Sequence, residues 1–305
     1  MSQAKVWVLL VLATLFWAGN YVFGKYVVAE LTPVSITFLR WVLALFILLP
    51  IAIFVEKPDW KKVKQVWPTL LLLGLLGIIG YNIILYTALG YTSPTNAALI
   101  SAVNPGLIVL FSVFLLKESL SKVQVIGLFV SFFGALIIIT QGNILGIFEM
   151  NYNRGDLLMV GAVIVWTFYS IIGKRLLIPP ITATAVSTLL AMVVLAPFAV
   201  WEGIDLSAVS SISIYGILYM FLFSSVCSFV FWNMSVRKIG ASQAGIFLNL
   251  IPVFTALISL ALGETILAEQ IIGGLFVFIG VYLTSGMLSK RMEQVKKKKE
   301  LSKGA

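Results

Sequence analysis

The sequence predicts an all-α integral membrane protein, with ten transmembrane helices as two inverted five-helix repeats. Three observations carry this. The 305 residues are 60% hydrophobic and 11% charged, about half the usual charged share, with a mean hydropathy of +1.06. The apolar residues fall in runs of spanning length, and the basic residues alternate between loops in step with those runs. Soluble domains of this composition would leave large apolar patches in water, and disordered chains are polar and charged. The bilayer is the remaining solvent.

A spanning helix needs about 20 mostly apolar residues. The runs are 5–26, 33–55, 67–90, 94–116, 122–141, 156–174, 180–201, 212–236, 240–262 and 268–288. The third and fourth come from one unbroken run, Gln65 to Leu116. It divides at Gly90-Tyr91-Thr92-Ser93-Pro94, because Gly and Pro mark turns and Pro suits a helix's first turn. Met1 to Lys5 is short and the first apolar run is long for a signal peptide, so it reads as an uncleaved first helix.

Cytoplasmic loops carry an excess of Lys and Arg. Lys5, then Lys57, Lys61, Lys62 and Lys64, Lys117 and Lys122, Lys174 and Arg175, Arg237 and Lys238, and the basic tail all fall on one side. The other side holds Lys25 and Arg154, and Arg40 lies within a helix. Both termini are therefore expected in the cytoplasm. The net charge of +9 follows from topology, and no nucleic-acid partner is expected. The Lys296–Lys299 run reads as a solvated tail that enforces orientation; contact with anionic lipid is the sharper alternative.

The chain has no histidine and a single cysteine, Cys227. That removes His-based metal sites and bases, internal disulfides and thiolate clusters. No metal and no cofactor are expected.

The halves match one another. Leu15-Phe16-Trp17-Ala18-Gly19-Asn20-Tyr21-Val22-Phe23-Gly24-Lys25 aligns with Ile164-Val165-Trp166-Thr167-Phe168-Tyr169-Ser170-Ile171-Ile172-Gly173-Lys174, with Trp, Gly and Lys in register. Asn104-Pro105 through Lys117-Glu118 aligns with Ile251-Pro252 through Gly263-Glu264, and Gln124, Gly127 and Gly134 with Gln270, Gly273 and Gly280. Five spans per half is odd, so the halves enter the membrane from opposite sides, a recurrent plan of secondary transporters. The expected organisation is a repeat over 5–141, an external linker at 142–154, a repeat over 155–288 and a cytoplasmic tail at 289–305.

These blocks, with Phe38-Leu39-Arg40-Trp41, resemble the drug/metabolite transporter superfamily of EamA-domain type over about 5–288. The resemblance implies a bacterial inner-membrane carrier, usually an exporter of amino acids, related metabolites or drugs. It also implies that spans 1, 3, 4, 6, 8 and 9 surround a central cavity and that spans 5 and 10 are more structural.

Polar groups at membrane depth are costly and face the bundle or a cavity. Trp17 and Trp166 sit about a dozen residues into their spans, near mid-bilayer. They form either an aromatic box around the substrate or packing between repeats. Trp7, Trp60, Trp67 and Trp201 lie near helix ends, as an aromatic belt does. Tyr21 shares the Trp17 face and Ser170 the Trp166 face, with Tyr169 beside it. Asn82 and Tyr86 lie one turn apart, and their counterparts in the second repeat are Phe229 and Asn233. Ser101 and Asn104 precede one proline and Asn249 the other. Each of these lines the cavity or bonds a neighbouring helix.

Pro105 and Pro252 interrupt their spans at matched places, which points to a binding site or a shape-setting kink. Arg40, about ten ångström into span 2, is open to an anion contact, to snorkelling or to capping carbonyls; the structural role is favoured. Glu118 and Glu264 read as capping residues, with Ser119-Leu120-Ser121 opening span 5. Gly127/Gly134 and Gly273/Gly280 lie at seven-residue spacing for close packing.

With amides and aromatics but no acid at mid-membrane, the sequence suits a zwitterionic or aromatic solute, moved by facilitated diffusion or exchange. The expected partners are a small-molecule substrate and the lipid bilayer, with no obligate protein partner. A flippase for a lipid-linked group is the alternative. A membrane enzyme is disfavoured, because its external acids are scattered and show no metal-ligand spacing or nucleophile elbow.

Overall fold

The computed structural model describes residues 3–104, 106–107, 110–111, 121–146, 152–173, 176–205, 209–239 and 246–284. Pro105, Lys117, Glu118, Glu149, Lys174, Arg175 and the basic tail lie outside the described residues.

Among the described residues all secondary structure is helical. Helix α1 is Gln3–Val27, and α2 is Pro33–Pro50, continued by a π-helical stretch Ile51–Glu56. A short helix α3, Trp60–Gln65, precedes a rod made of α4 (Trp67–Leu73), a π segment Gly74–Gly80 and α5 (Tyr81–Tyr91). Then come α6 (Pro94–Ser101), α7 (Lys122–Ile139), α8 (Arg154–Gly173) and α9 (Pro180–Glu202). A second rod joins α10 (Ser211–Tyr219), a π segment Met220–Cys227 and α11 (Ser228–Ile239). A 3₁₀ turn, Ile246–Asn249, leads to α12 (Leu250–Ala261), and α13 is Ala268–Thr284.

Seven of the described helices are long and apolar enough to cross a membrane, and Phe247–Ala261 and Ala268–Leu283 are shorter apolar helices. The chain is a multi-pass membrane protein. Phe46 (74% exposed), Phe129, Val200 and Trp201 (86%) point out of the bundle, where lipid, unlike water, accepts them. Trp7, Trp60 and Trp67 are exposed as well.

Local chemistry sets the helix starts. The side chains of Thr32, Ser93, Ser121 and Ser210 accept bonds from the N–H groups of Ser35, Asn96, Gln124 and Ser213, satisfying donors that have no partner within the helix. Ser121 and Gln124 cap reciprocally. Pro33, Pro94 and Pro180 occupy first turns, and the chain breaks between Tyr91 and Pro94.

Helices α7 and α13 pack along their lengths. A Cβ on Gly134 would stand 2.5 Å from the Gly273 carbonyl oxygen, and one on Gly280 would stand 2.6 Å from the Gly127 carbonyl oxygen. The repeated glycines thus let two backbones touch. Helices α2 and α9 pack antiparallel and are tied at both ends. Glu56, just past α2, accepts from the N–H groups of Ile181 (3.2 Å) and Thr182 (2.6 Å) at the start of α9. Glu202, the last residue of α9, accepts from the hydroxyl of Thr32 (2.5 Å), the N-cap of α2.

At the end of the bundle where α1 stops, Lys25 donates to the carbonyls of Leu89 (2.7 Å) and Thr92 (3.1 Å), a cation on the exposed carbonyls of α5. Asp156, fully buried in the first turn of α8, accepts from Thr92 and from Asn96 (3.4 Å). Gln270 donates to Asn96 at 2.6 Å, so this cluster joins α6, α8 and α13.

Candidate functional site

Trp17, Asn20 and Tyr21 share one face of α1, at three- and four-residue spacing. They open onto a cavity that Arg40, Trp41, Gly77, Tyr81, Asn82, Ser101 and Asn104 also line from the first half. Trp166, Phe229, Leu248 and Ile251 line it from the second half. About 90 Å³ is open to the centres of water molecules, where one water needs about 10–15 Å³. Among the described residues no acidic side chain lines it.

The walls are aromatic. Trp17 packs edge-on to Phe229 with centroids 5.8 Å apart, and Trp41 meets the same ring at 5.3 Å. Trp166 lies against Tyr81 at 4.8 Å and Tyr169 at 5.0 Å. The Trp17 indole N–H, which needs a partner at this depth, donates to the Ser224 carbonyl at 3.1 Å, inside the second π segment. Tyr21 donates to the Ser101 hydroxyl at 2.8 Å, and the Tyr21 and Tyr81 oxygens are 3.0 Å apart.

Arg40 is 2% exposed, so it does not snorkel. Its Nε and Nη2 donate to the Ser225 hydroxyl oxygen at 2.9 and 2.7 Å. Its Nη1 donates to Asn20 at 2.7 Å, to Asn82 at 3.3 Å and to the Tyr86 oxygen. The guanidinium carbon sits 5.2 Å from the centre of the Trp41 ring and 5.8 Å from that of Tyr86, within cation–π range. Tyr86 in turn donates to Asn20 at 3.0 Å. Asn82 spends its N–H groups on the carbonyls of Gly77 (3.1 Å) and Ile78 (2.9 Å), both in the π segment Gly74–Gly80. One cation thus joins α1, α2, α5 and the second π segment.

Of the residues singled out from sequence, Trp17, Tyr21, Arg40, Asn82, Ser101, Asn104 and Trp166 line this cavity. Tyr86 lies behind the wall on Arg40. Tyr169 packs against Gly77, where any side chain would collide with its ring. Ser170 bonds the Trp166 carbonyl of its own helix at 2.8 Å. Asn233 and Asn249 are not in the wall, although Leu248 beside Asn249 is. Pro252 stands in the first turn of α12, directly after the 3₁₀ turn. Sequence reasoning does not reach Tyr81 or Ser225, and names Asn20 and Trp41 only within longer blocks. Asn20 sits in the matched Trp17 block and was the one with a signal, three residues from Trp17 on the same helix face.

The EamA-like transporter family matches residues 5–140 and again 153–286, so the cavity is walled by both copies. An uncharacterized transporter of Bacillus subtilis, YyaM, is 32% identical over 293 residues, covering 94% of this chain and 96% of its own. An uncharacterized transporter of Archaeoglobus fulgidus is 29% identical over 287 residues, covering 93% and 98%. An uncharacterized inner membrane transporter of Escherichia coli, YhbE, is 30% identical over 58% of this chain and 56% of its own. One solved crystal structure, 19% identical, superposes with a TM-score of 0.67 over 96% of this chain and all of its own, a likeness of fold alone. With the family matched in both halves, the chain belongs to the EamA-like transporters.

Proposed function

We propose that the chain is a ten-helix secondary carrier that exports small organic solutes, amino acids or related metabolites, by alternating access around this cavity. The observation that carries the reading is the cavity's place between the two family-matched blocks. The antiparallel α2–α9 pair supports the inversion of the repeats 5–141 and 155–288, and the charge alternation of the loops puts the linker 142–154 outside. Two similar halves in opposite orientation give two states of similar energy, one open to each side. Both termini and the 289–305 tail face the cytoplasm, and the membrane is the bacterial inner membrane.

Trp17 and Trp166 form the aromatic walls for the solute, and Tyr21, Ser101, Asn82 and Asn104 supply polar contacts. Transport is facilitated diffusion or exchange. The test is counterflow: proteoliposomes loaded with unlabelled amino acids, followed for uptake of the labelled compound. Wild type should exchange, and Trp17→Ala should abolish exchange while remaining folded by size-exclusion profile. Strict dependence of flux on an imposed pH gradient would defeat the exchange reading. Exchange of a lipid-linked sugar, with none of amino acids or aromatic cations, would move the assignment to a flippase.

A further inference from the structure

Resting on that carrier reading, we infer that the cavity holds its solute by a carboxylate paired with Arg40, and that Asn104 accepts a hydrogen bond from the same solute. A buried cation without an anion is strongly disfavoured unless something completes it. Arg40 is such a cation. All five of its hydrogen bonds go to neutral oxygens, of Ser225, Asn20, Asn82 and Tyr86. Among the described residues no carboxylate bonds it or lines the cavity.

The donor count leaves room for one more acceptor. A guanidinium has five N–H groups. Nη1 has three acceptors for its two, and Nε and one Nη2 hydrogen converge on Ser225. The second Nη2 hydrogen has no acceptor among the described residues. A carboxylate oxygen there would supply both the acceptor and the missing charge.

A second polar atom in the same wall is also unanswered. Among the described residues the Asn104 side-chain oxygen is buried without a partner, on a residue 7% exposed. It calls for a donor, which an α-amino or α-hydroxyl group beside the carboxylate provides. Trp17, Tyr81 and Trp166 then flank the rest of the molecule. A solute that is only a cation meets Arg40 and is repelled.

The test is wild-type counterflow with isosteres. Vesicles are preloaded with L-phenylalanine, L-phenyllactate, 3-phenylpropionate, L-phenylalaninamide or phenethylamine and followed for labelled L-phenylalanine. A parallel set built on alanine covers small side chains. The two acids carrying an α-donor should drive uptake on the order of tenfold faster than the amide or the amine, the scale of a hydrogen bond to a charged group. 3-Phenylpropionate, lacking the donor, should fall between. Amide and amine exchanging as fast as the acid would overturn the inference and leave the carrier reading standing. No exchange in either set would overturn the carrier reading, and the inference with it. Arg40→Gln should erase the preference for acid over amide, and Asn104→Leu should level phenylalanine with 3-phenylpropionate while keeping that preference. If either variant fails to fold, the wild-type series still decides.

Discussion

Replacing Gly134 with alanine should weaken the α7–α13 contact by a calculable amount. The new Cβ would lie 2.5 Å from the Gly273 carbonyl oxygen, 2.7 Å from the Val277 nitrogen and 2.8 Å from the Phe276 Cβ. All three belong to backbone or to a Cβ, so no rotamer change relieves them, and the helices must part by roughly 1 Å to reach ordinary contact near ~3.5 Å. Overpacking of this kind costs about 1–3 kcal/mol. Alanine also gains about 0.5–1 kcal/mol over glycine in a helix interior. Gly161→Ala, inside α8, collects that gain alone, because among the described residues nothing beyond its own stretch of helix lies within 4 Å of its added Cβ. The difference between the two variants therefore isolates the clash, at about 1–3 kcal/mol. Titration of the purified protein with dodecyl sulfate, read by tryptophan fluorescence, gives both unfolding free energies. Two variants within about 0.5 kcal/mol of each other, the scale of an unremarked surface change, would refute the backbone contact.

Two further outcomes follow from the hydrogen bonds. Tyr86→Phe keeps the ring beside Arg40 but removes an oxygen that serves both Arg40 and Asn20; the same titration should show a loss of about 1.5–3 kcal/mol, and no change would mean that the hydroxyl carries no bond to the cation. Bonds from the Ser210 hydroxyl (2.6 Å) and backbone N–H (2.8 Å) hold the Glu30 carboxyl below its ordinary range, so this tie stabilises the fold above that range and fades as pH falls through the lowered native value. The thermal-midpoint difference between wild type and Glu30→Gln should thus be flat from neutral pH down and shrink only in acid; growth on acidification would contradict it.

The seven spanning helices among the described residues were legible because hydropathy and turn chemistry are local. The Gly90–Pro94 break falls where α5 ends and α6 begins, and the end-of-span tryptophans are the exposed ones. The glycine spacing on 127/134 and 273/280 likewise located a contact. Neighbours across the bundle were not legible. Arg40 could be placed at depth, but nothing in span 2 says that Ser225 or Asn20 faces it. An acid that opens a span gives no sign of burial, yet Asp156 is fully buried and accepts bonds from Thr92 and Asn96. Asn233 met the same criteria as Asn82, but only Asn82 reaches the cavity, a difference of packing between halves that period alone does not carry.

The π segments inside the two rods, Gly74–Gly80 and Met220–Cys227, share no residue pattern, which is why they are invisible in sequence. Each lies just ahead of a cavity residue, Asn82 in one half and its counterpart Phe229 in the other. A π turn holds an extra residue, with bonds reaching five positions back, as Tyr81 to Leu76 and Ser228 to Phe223 do. An α-helix advances about 100° per residue, so each segment sets the angular phase of everything downstream. Deleting one residue from Gly74–Gly80 would rewind the rod and swing Asn82 and Tyr86 about 100° away from Arg40, with every site side chain unchanged. The shape of this cavity is therefore written partly in winding, and two chains with identical cavity residues would present different walls if one lacked a single residue a turn away.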